Sequence, residues 1–183
     1  MKMNPTDLDT LLQQWQADEA AVRARISQQG SGVARPDQIQ ALTGLQAMQA
    51  MLDGQLPPPP ICDTLDFMLI SVAHGEAVFQ GQPMRRHYNP LGTVHGGWYA
   101  TLLDSALGCA VHTTMPVGRA YTTLEFKVNM VRALTEQVPL VRAVGRVLHS
   151  GRQVATAEAS LLGHDGRLYA HASTTCLVFE RPN

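Results

Sequence analysis

The sequence predicts an α+β protein in which an antiparallel sheet covers one apolar helix. The hydrophobic spacing changes from helical to alternating after residue 60, and residues 98–112 form the most apolar helical segment of the chain. Four strand-like stretches follow that segment. A helix that is apolar nearly all round belongs in a core, and an antiparallel sheet around it is the layer that buries it.

Two helical patterns precede this unit. The first begins at Asn4-Pro5, because Asn caps a helix and Pro fits its first turn, and it ends at Gly30. The second runs over residues 39–52 and stops at Gly54. These helices could form an arm that binds a partner, but packing against the chain's own assembly is the favoured interpretation.

A proline run separates the two parts of the chain. Residues 57–60 are all proline and predict a stiff, extended segment that cannot be helix. We therefore divide the chain into a helical, proline-rich N-terminal extension over residues 1–60 and a second domain over residues 61–183.

The second domain contains six predicted strands. They cover approximately residues 66–72, 76–81, 120–132, 138–149, 152–163 and 167–179. The pair Asp165-Gly166 marks a tight hairpin between the last two. In the third strand, alternation with polar residues predicts one buried face and one polar or partner-facing face; the apolar members are Leu124, Phe126, Val128 and Met130.

Composition excludes several classes of function. Fourteen Lys and Arg against fifteen Asp and Glu give a net charge of −1, which does not attract nucleic acid. No apolar run reaches the ~20 residues that span a bilayer, and the start at Met1 and Lys2 lacks the apolar region of a signal peptide. The cysteines form neither a disulfide framework nor a metal knuckle. We expect a cytoplasmic protein without nucleic-acid or membrane partners.

Common catalytic signatures are also missing from the sequence. No serine has the flanking glycines of a nucleophile elbow, and neither lysine follows a glycine as in a phosphate-binding loop. His87, His95 and His112 lack the i, i+4 spacing of a helical zinc pair, so no metal site is predicted. We expect no bound cofactor.

The segment that can carry chemistry is the start of the apolar helix, where His95 is followed by Gly96 and Gly97. Residues without side chains leave the unpaired N–H groups of a helix start open to an anion or an oxyanion. Asp104 lies two turns further on, and a buried carboxylate is costly unless it is paired or functional. The helix face around it is made of small residues: Gly97, Ala100, Thr101 and Gly108.

Each feature has a plain structural alternative. The glycine pair could be a tight helix start against a sheet, and Asp104 could be a structural carboxylate that caps a neighbouring strand. Together they favour a site in which an acyl carbonyl meets the glycine amides while Asp104 serves as nucleophile or base.

The pattern Asn-x5-His-Gly-Gly-x6-Asp over residues 89–104, with the strand that follows, resembles the hotdog-fold acyl-CoA thioesterases of the phenylacetate-degradation (PaaI-type) family. The resemblance covers about residues 60–180. It implies a long helix wrapped by a six-stranded antiparallel sheet, and a homodimer or dimer-of-dimers tetramer with active sites between subunits. The N-terminal extension is longer than in compact members of the family.

The resemblance assigns roles by position in the motif. Gly96 resembles the residue whose amide polarises the thioester carbonyl, and Asp104 resembles the nucleophile or general base. Asn89 matches a group that helps to hold the attacking water, and His95 matches a histidine that orients the loop. Thr122 falls where the family often has Ser or Thr near the carboxylate, contributed by the opposite subunit.

The reaction implied by the resemblance is hydrolysis of an aromatic or medium-chain acyl-CoA without metal or redox cofactor. Gly97, Arg132 and Arg152 are the candidate contacts for CoA, and Arg167 is a further basic residue at a turn. Two other functions stay open. One is a hotdog hydratase or dehydratase of enoyl or hydroxyacyl thioesters, and the other is a hotdog protein that binds acyl-CoA without catalysis.

Overall fold

The computed structural model describes residues 4–181. Met1 and Lys2, on which the signal-peptide expectation rests, lie outside this range. The described elements in chain order are helices α1 (Pro5–Ile26), α2 (Pro36–Ile39), α3 (Gly44–Leu52) and α4 (Pro60–Leu65), strands β1 (Phe67–Ala73) and β2 (Glu76–Gly81), helix α5 (Gly96–His112), and strands β3 (Arg119–Met130), β4 (Val141–Ser150), β5 (Val154–Gly163) and β6 (Leu168–Glu180). The predicted strand positions are confirmed, with ends that shift by at most three residues.

One antiparallel sheet is formed by the six strands, in the order β1-β2-β4-β5-β6-β3. Helix α5 lies against one face of this sheet, and its Leu102, Leu103 and Leu107 are fully buried. The helix approaches β4 so closely that a side chain at Gly145 would collide with the backbone of Ala106. The predicted α+β layout, a long helix wrapped by a six-stranded antiparallel sheet, is therefore confirmed.

Helix α1 packs against the opposite face of the sheet through a buried polar network. The Gln80 side chain donates to the Trp15 carbonyl (3.2 Å) and to Glu19 (2.7 Å). Arg142 donates to Gln80 (2.8 Å) and to Asp18 (2.7 Å), and its guanidinium lies 4.4 Å from the centre of the Trp15 ring. Helix α1 is therefore fastened to its own chain's sheet, and it is not a free arm.

Two predictions for the N-terminal extension are corrected by the structure. Residues 57–60 were expected to exclude helix, but Pro60 is the first residue of α4; a proline is tolerated there because the first N–H of a helix has no intrahelical acceptor. The helical pattern of residues 39–52 is divided between α2 and α3, because Thr43 caps a new helix by accepting from the Gln46 N–H (3.2 Å).

Strand β3 departs from the simple alternation that the sequence predicts. A bulge between Thr123 and Glu125 leaves Leu124 without a partner on β6. Thr123 therefore takes the α5-facing position that the alternation assigned to Leu124, while Phe126 and Met130 keep theirs. The expected burial of this apolar face is wrong for the single chain, since Phe126 is 37% and Met130 50% exposed.

Candidate active site

An open trough runs between α5 and β3. Its α5 side carries small or polar residues that are exposed or half-buried: Gly97, Ala100, Thr101 and Asp104. Its β3 side carries the residues that face the helix: Thr123, which the bulge turns towards it, and Phe126, Val128 and Met130. Strand β3 is the last strand of the sheet, so within the described residues its outer edge is unpaired beside this trough. We call this surface the α5–β3 trough.

The start of α5 forms the open end of the trough and exposes one backbone donor. The His95 Nδ1 accepts from the Gly97 N–H (2.8 Å), so His95 is the N-cap of the helix and the Gly97 amide is already satisfied. No acceptor for the Gly96 N–H is found within residues 4–181. Of the two glycine amides, that of Gly96 is thus free to receive an oxyanion.

The Met130 side chain covers the Gly96 backbone. A Cβ built on Gly96 would lie 2.8 Å from the Met130 Cε and 2.9 Å from its Sδ. The end of a methionine side chain is flexible and can move aside. A glycine at position 96 therefore lets the thioether lie on the helix start while the amide stays within reach of a ligand.

Asp104 lies in the middle of the trough and is half-buried. Burial raises the pKa of its carboxyl group above the ordinary value of 3.8, and a hydrogen bond from Thr123 opposes this shift. The Thr123 hydroxyl lies 3.5 Å from the Asp104 Oδ1. A half-desolvated carboxylate with one hydroxyl partner is a suitable general base or nucleophile.

Within one chain, the hydroxyl group that lies next to the Asp104 carboxylate is that of Thr123. The sequence pattern did not single out this residue. Thr122 pairs with Leu177 on β6 and is exposed on the other face of the sheet. The structure of one chain therefore does not bring Thr122 to its own Asp104, and a role for Thr122 across a subunit boundary stays a prediction. The bulge decides which threonine faces α5.

Asn89 orders the loop in front of α5. Its side-chain oxygen accepts from the Leu91 N–H (2.9 Å), and its amide donates to the Thr93 hydroxyl (3.1 Å). Asn89, Gly96 and Arg132 line a common cleft of about 320 Å³ at the start of α5. The structure thus brings these three predicted residues together, while the contacts of the Asn89 side chain are made with its own loop.

The candidate CoA-binding arginines fall at two ends of the molecule. Arg132 lies at the cleft, and Arg167 is beside it near the Tyr169 hydroxyl. Arg152 lies on the β4–β5 hairpin, where its carbonyl accepts from Arg119 at the first residue of β3. The length of β3 therefore separates Arg132 from Arg152 by roughly 40 Å within one chain.

Gly96 and Asp104 are well separated along one helix. They lie eight residues apart on the same helix, which corresponds to about 12 Å along its axis. A carbonyl oxygen must lie about 3 Å from its donor, and the attacking atom about 3 Å from the carbonyl carbon. These reaches are too short for Asp104 to attack directly a carbonyl group that is bound at Gly96 of the same chain.

The thiols are poor candidates for nucleophiles. Burial raises the pKa values of Cys62 and Cys109 to about 12, and it also raises that of Cys176. A thiol with such a pKa stays protonated and unreactive at neutral pH. In the described part of the chain, no three His, Cys, Asp or Glu side chains are grouped so that they could hold a metal ion.

Comparisons with known proteins agree with this geometry. The sequence pattern of the thioesterase superfamily matches residues 91–170. The matched range contains Gly96, Asp104 and Thr123, and it begins two residues after Asn89. These residues are therefore similar to the thioesterase superfamily. No curated protein matches the chain.

Several solved structures share the fold. A thioesterase family protein from Silicibacter pomeroyi is 26% identical, with 67% of this chain and 90% of that chain covered and a TM-score of 0.61. A phenylacetic acid degradation-related protein from Ralstonia eutropha is 28% identical, with 71% and 98% covered and a TM-score of 0.65. A mutant of the phenylacetic acid degradation protein PaaI from Thermus thermophilus is 28% identical, with 64% and 97% covered and a TM-score of 0.58. The predicted resemblance to PaaI-type hotdog thioesterases is thereby confirmed.

Proposed function

We propose that this chain hydrolyses acyl-CoA thioesters, with an aromatic or medium-chain acyl group, to the free acid and CoA. The match of residues 91–170 to the thioesterase superfamily supports thioester hydrolysis in general terms. The observation that carries the proposal is Asp104, a half-buried carboxylate in the α5–β3 trough whose pKa is raised by burial. The free amide of Gly96 supplies a donor for the carbonyl oxygen of the substrate.

The complete site requires two copies of the chain. Since about 12 Å separates Gly96 from Asp104 on one helix, the carbonyl bound at Gly96 is attacked with the help of the partner's Asp104. The unpaired edge of β3 is the surface for this association, because an exposed edge strand offers a row of free N–H and C=O groups. A two-fold axis beside this edge places two equivalent sites in the paired troughs.

The chemistry follows from the two groups. The Gly96 N–H and the positive end of the α5 dipole stabilise the negative charge that develops on the carbonyl oxygen. Asp104 either takes a proton from a water that attacks the carbonyl carbon or attacks that carbon itself. The carbon–sulfur bond breaks and CoA leaves as a thiolate, which is then protonated. Thr123 holds the carboxylate in place.

Arg132 and Arg167 are the basic residues nearest the open end of the trough, and they are proposed to contact the CoA phosphates. Arg152 could reach the same CoA only from the partner subunit. The three cysteines are free, which fits the reducing cytoplasm as the compartment of the reaction. No helix in residues 4–181 is long and apolar enough to cross a membrane.

Thiol release from a panel of acyl-CoAs tests the proposal. The Asp104→Asn protein is expected to lose at least ~100-fold in kcat, because a positioned base is worth about 10²–10⁴ in rate. Glu158→Gln is the matched control, since Glu158 is an exposed carboxylate on the other face of the sheet. Near-wild-type turnover by Asp104→Asn contradicts the assigned role. Hydration without thiol release, or binding without any reaction, would instead favour one of the two alternative functions.

A further inference from the structure

A cleft of about 700 Å³ lies between the N-terminal extension and the turn that precedes β3. Its extension side is formed by residues in and next to α2, among them Pro36, Ile39 and Gln40. Its other side is formed by Gly118, in the turn, and by Arg181, which follows β6. This volume falls in the range of pockets that hold a small-molecule ligand. We call it the α2 cleft.

Arg181 joins the two sides of the α2 cleft and supplies a positive charge to it. Its backbone N–H donates to the Gly118 carbonyl (2.8 Å), and its guanidinium donates to the Ile39 carbonyl (3.4 Å). A guanidinium carries several N–H donors in a planar fork, which suits the oxygens of a phosphate group. The cleft therefore combines an apolar wall with a group that can bind an anion.

The surroundings of the α2 cleft carry an excess of positive charge. Arg119, the first residue of β3, donates to the Arg152 carbonyl, so two further guanidinium groups belong to this end of the sheet. Two carboxylates balance part of the charge. Asp37 pairs with Arg35 (3.0 Å), and Glu180 lies opposite Arg119 on β6. The remaining positive charge favours a phosphorylated ligand.

In the proposed pair of chains, the α2 cleft lies near the reacting groups. Within one chain Met130 covers Gly96, and Thr123 reaches Asp104. An antiparallel pairing of β3 that brings Gly96 to the partner's Asp104 therefore brings Met130 next to the partner's Thr123. The strand end that carries Arg132 then points along the partner's β3 towards the partner's α2 cleft.

The distance from the reacting groups to the cleft matches the length of CoA. Thr123 and Gly118 of one chain lie five residues apart along an extended strand, which is about 16 Å. The pantetheine arm of CoA has about twelve bonds between its sulfur and its first phosphate oxygen. Since three backbone bonds of an extended chain span about 3.5 Å, this arm spans about 14 Å. A thioester at Asp104 can therefore place the CoA phosphates at the mouth of the cleft.

We propose that the α2 cleft binds the adenine nucleotide of CoA, with Arg181 on a phosphate group and Pro36 and Ile39 against the adenine ring. This inference rests on the proposed thioesterase function and specifies how that site recognises CoA. The N-terminal extension then has a part in substrate binding besides its packing on the sheet. Arg132 of one chain and the partner's Arg152, which lie at opposite ends of a single chain, meet at the same CoA.

The kinetic test uses two substrates with the acyl group that the wild type hydrolyses fastest, one an acyl-CoA and the other an acyl-pantetheine without the nucleotide. Arg181→Ala is expected to raise KM for the acyl-CoA at least about tenfold, because it removes a charge-assisted hydrogen bond. Its kcat and its KM for the acyl-pantetheine should stay unchanged. Ala41→Trp should have the same effect, since Ala41 is exposed and lines the cleft, and tryptophan fills the space without altering the charge.

Arg25→Ala is the matched control. Arg25 also donates to a carbonyl of the extension, that of Leu52 (3.0 Å), but it does not line the cleft. Both KM values of this variant are expected to equal those of the wild type. An equal rise of KM for the two substrates in Arg181→Ala, or an unchanged KM for the acyl-CoA in Ala41→Trp, overturns the proposed subsite.

Titration calorimetry with adenosine 3′,5′-bisphosphate gives a readout that does not depend on turnover. The wild type and Arg25→Ala are expected to bind it, and Arg181→Ala and Ala41→Trp to bind it at least about tenfold more weakly. Equal affinities in all four proteins overturn the subsite. A bisphosphate that changes kcat for the acyl-pantetheine also overturns it, because the cleft then serves a free nucleotide. A wild-type protein that releases thiol from no acyl-CoA overturns the proposed function, whereas the calorimetry still decides whether the cleft binds the nucleotide.

Discussion

Replacing Gly96 by proline removes one backbone N–H and leaves the rest of the helix intact. Gly96 is the first residue of α5, a position where proline is readily accepted and its fixed φ suits the helix. The preceding His95 has φ −63° and ψ 138°, which is the extended conformation that a following proline requires. Because proline has no backbone N–H, the substitution removes the proposed donor to the carbonyl oxygen while the helix is kept.

The expected loss is that of one oxyanion donor, about 10²–10³ in kcat or about 3–4 kcal/mol. Gly96→Ala is the matched variant, because alanine keeps the N–H but adds the same Cβ that meets the end of Met130. Since the methionine end can rotate away, we expect Gly96→Ala to lose less than about tenfold. The comparison separates the loss of the N–H, whose hydrogen is replaced by the proline Cδ, from the effect of the Cβ on Met130.

Steady-state thiol release with a saturating acyl-CoA gives kcat for both variants, and far-ultraviolet circular dichroism confirms that α5 is retained. KM is expected to change little, because the donor acts mainly on charge that develops in the transition state. Equal kcat values for Gly96→Pro and Gly96→Ala would refute the reasoning. In that case the carbonyl oxygen is stabilised by other groups, and Gly96 is a glycine only because of Met130.

Four further outcomes are expected. Unfolding and refolding a mixture of the inactive Gly96→Pro and Asp104→Asn proteins should restore about a quarter of wild-type activity. Half of the dimers then contain one chain of each kind, and each of these has one intact site out of two. If no activity returns, both groups of a site belong to one chain. Burial raises the pKa of Asp104, so its ionised form destabilises the fold at a pH above that pKa. The Tm of Asp104→Asn at pH 7 should therefore be no lower than that of the wild type. The difference in Tm should vanish towards pH 3, where the Asp104 carboxyl is protonated in both the folded and the unfolded chain. Trp15→Ala should cost about 3 kcal/mol and lower Tm by roughly 10 °C while kcat at 20 °C is retained, because α1 lies on the sheet face away from the trough. Iodoacetamide at pH 8 should leave Cys109 unmodified and activity unchanged, since the thiol pKa is about 12.

The fold could be predicted largely from hydrophobic patterning. The segment 98–112 is apolar on nearly all sides, and this property led correctly to a helix enclosed by strands. The hairpin at Asp165-Gly166 could also be predicted from neighbouring residues alone, because an Asp-Gly pair favours a tight turn. Helix α4 could not be found in this way, since the proline run that precedes it carries an extended signal up to Pro60.

The site could be predicted only where it is continuous in sequence. Gly97, Ala100, Thr101 and Asp104 belong to one helix, so their spacing already indicated their common face. Thr123 reaches that helix from β3, and which β3 residues face α5 depends on a bulge at Leu124. No local signal in the strand marks the bulge, because an uninterrupted alternation explains the same residues equally well.

The exposed features of the single chain have one common cause. Within residues 4–181 the outer edge of β3 is unpaired, Phe126 is 37% and Leu124 59% exposed, and about 12 Å of helix axis separates Gly96 from Asp104. Each would be a defect in a monomer, since an open apolar edge strand invites association. The proposed second copy along β3 would remove all of them together, because it would pair the edge, cover the trough and bring a second carboxylate to Gly96. Dissociation of such a dimer should therefore abolish turnover before it unfolds the chain, and activity should fall upon dilution while the helical signal is still retained.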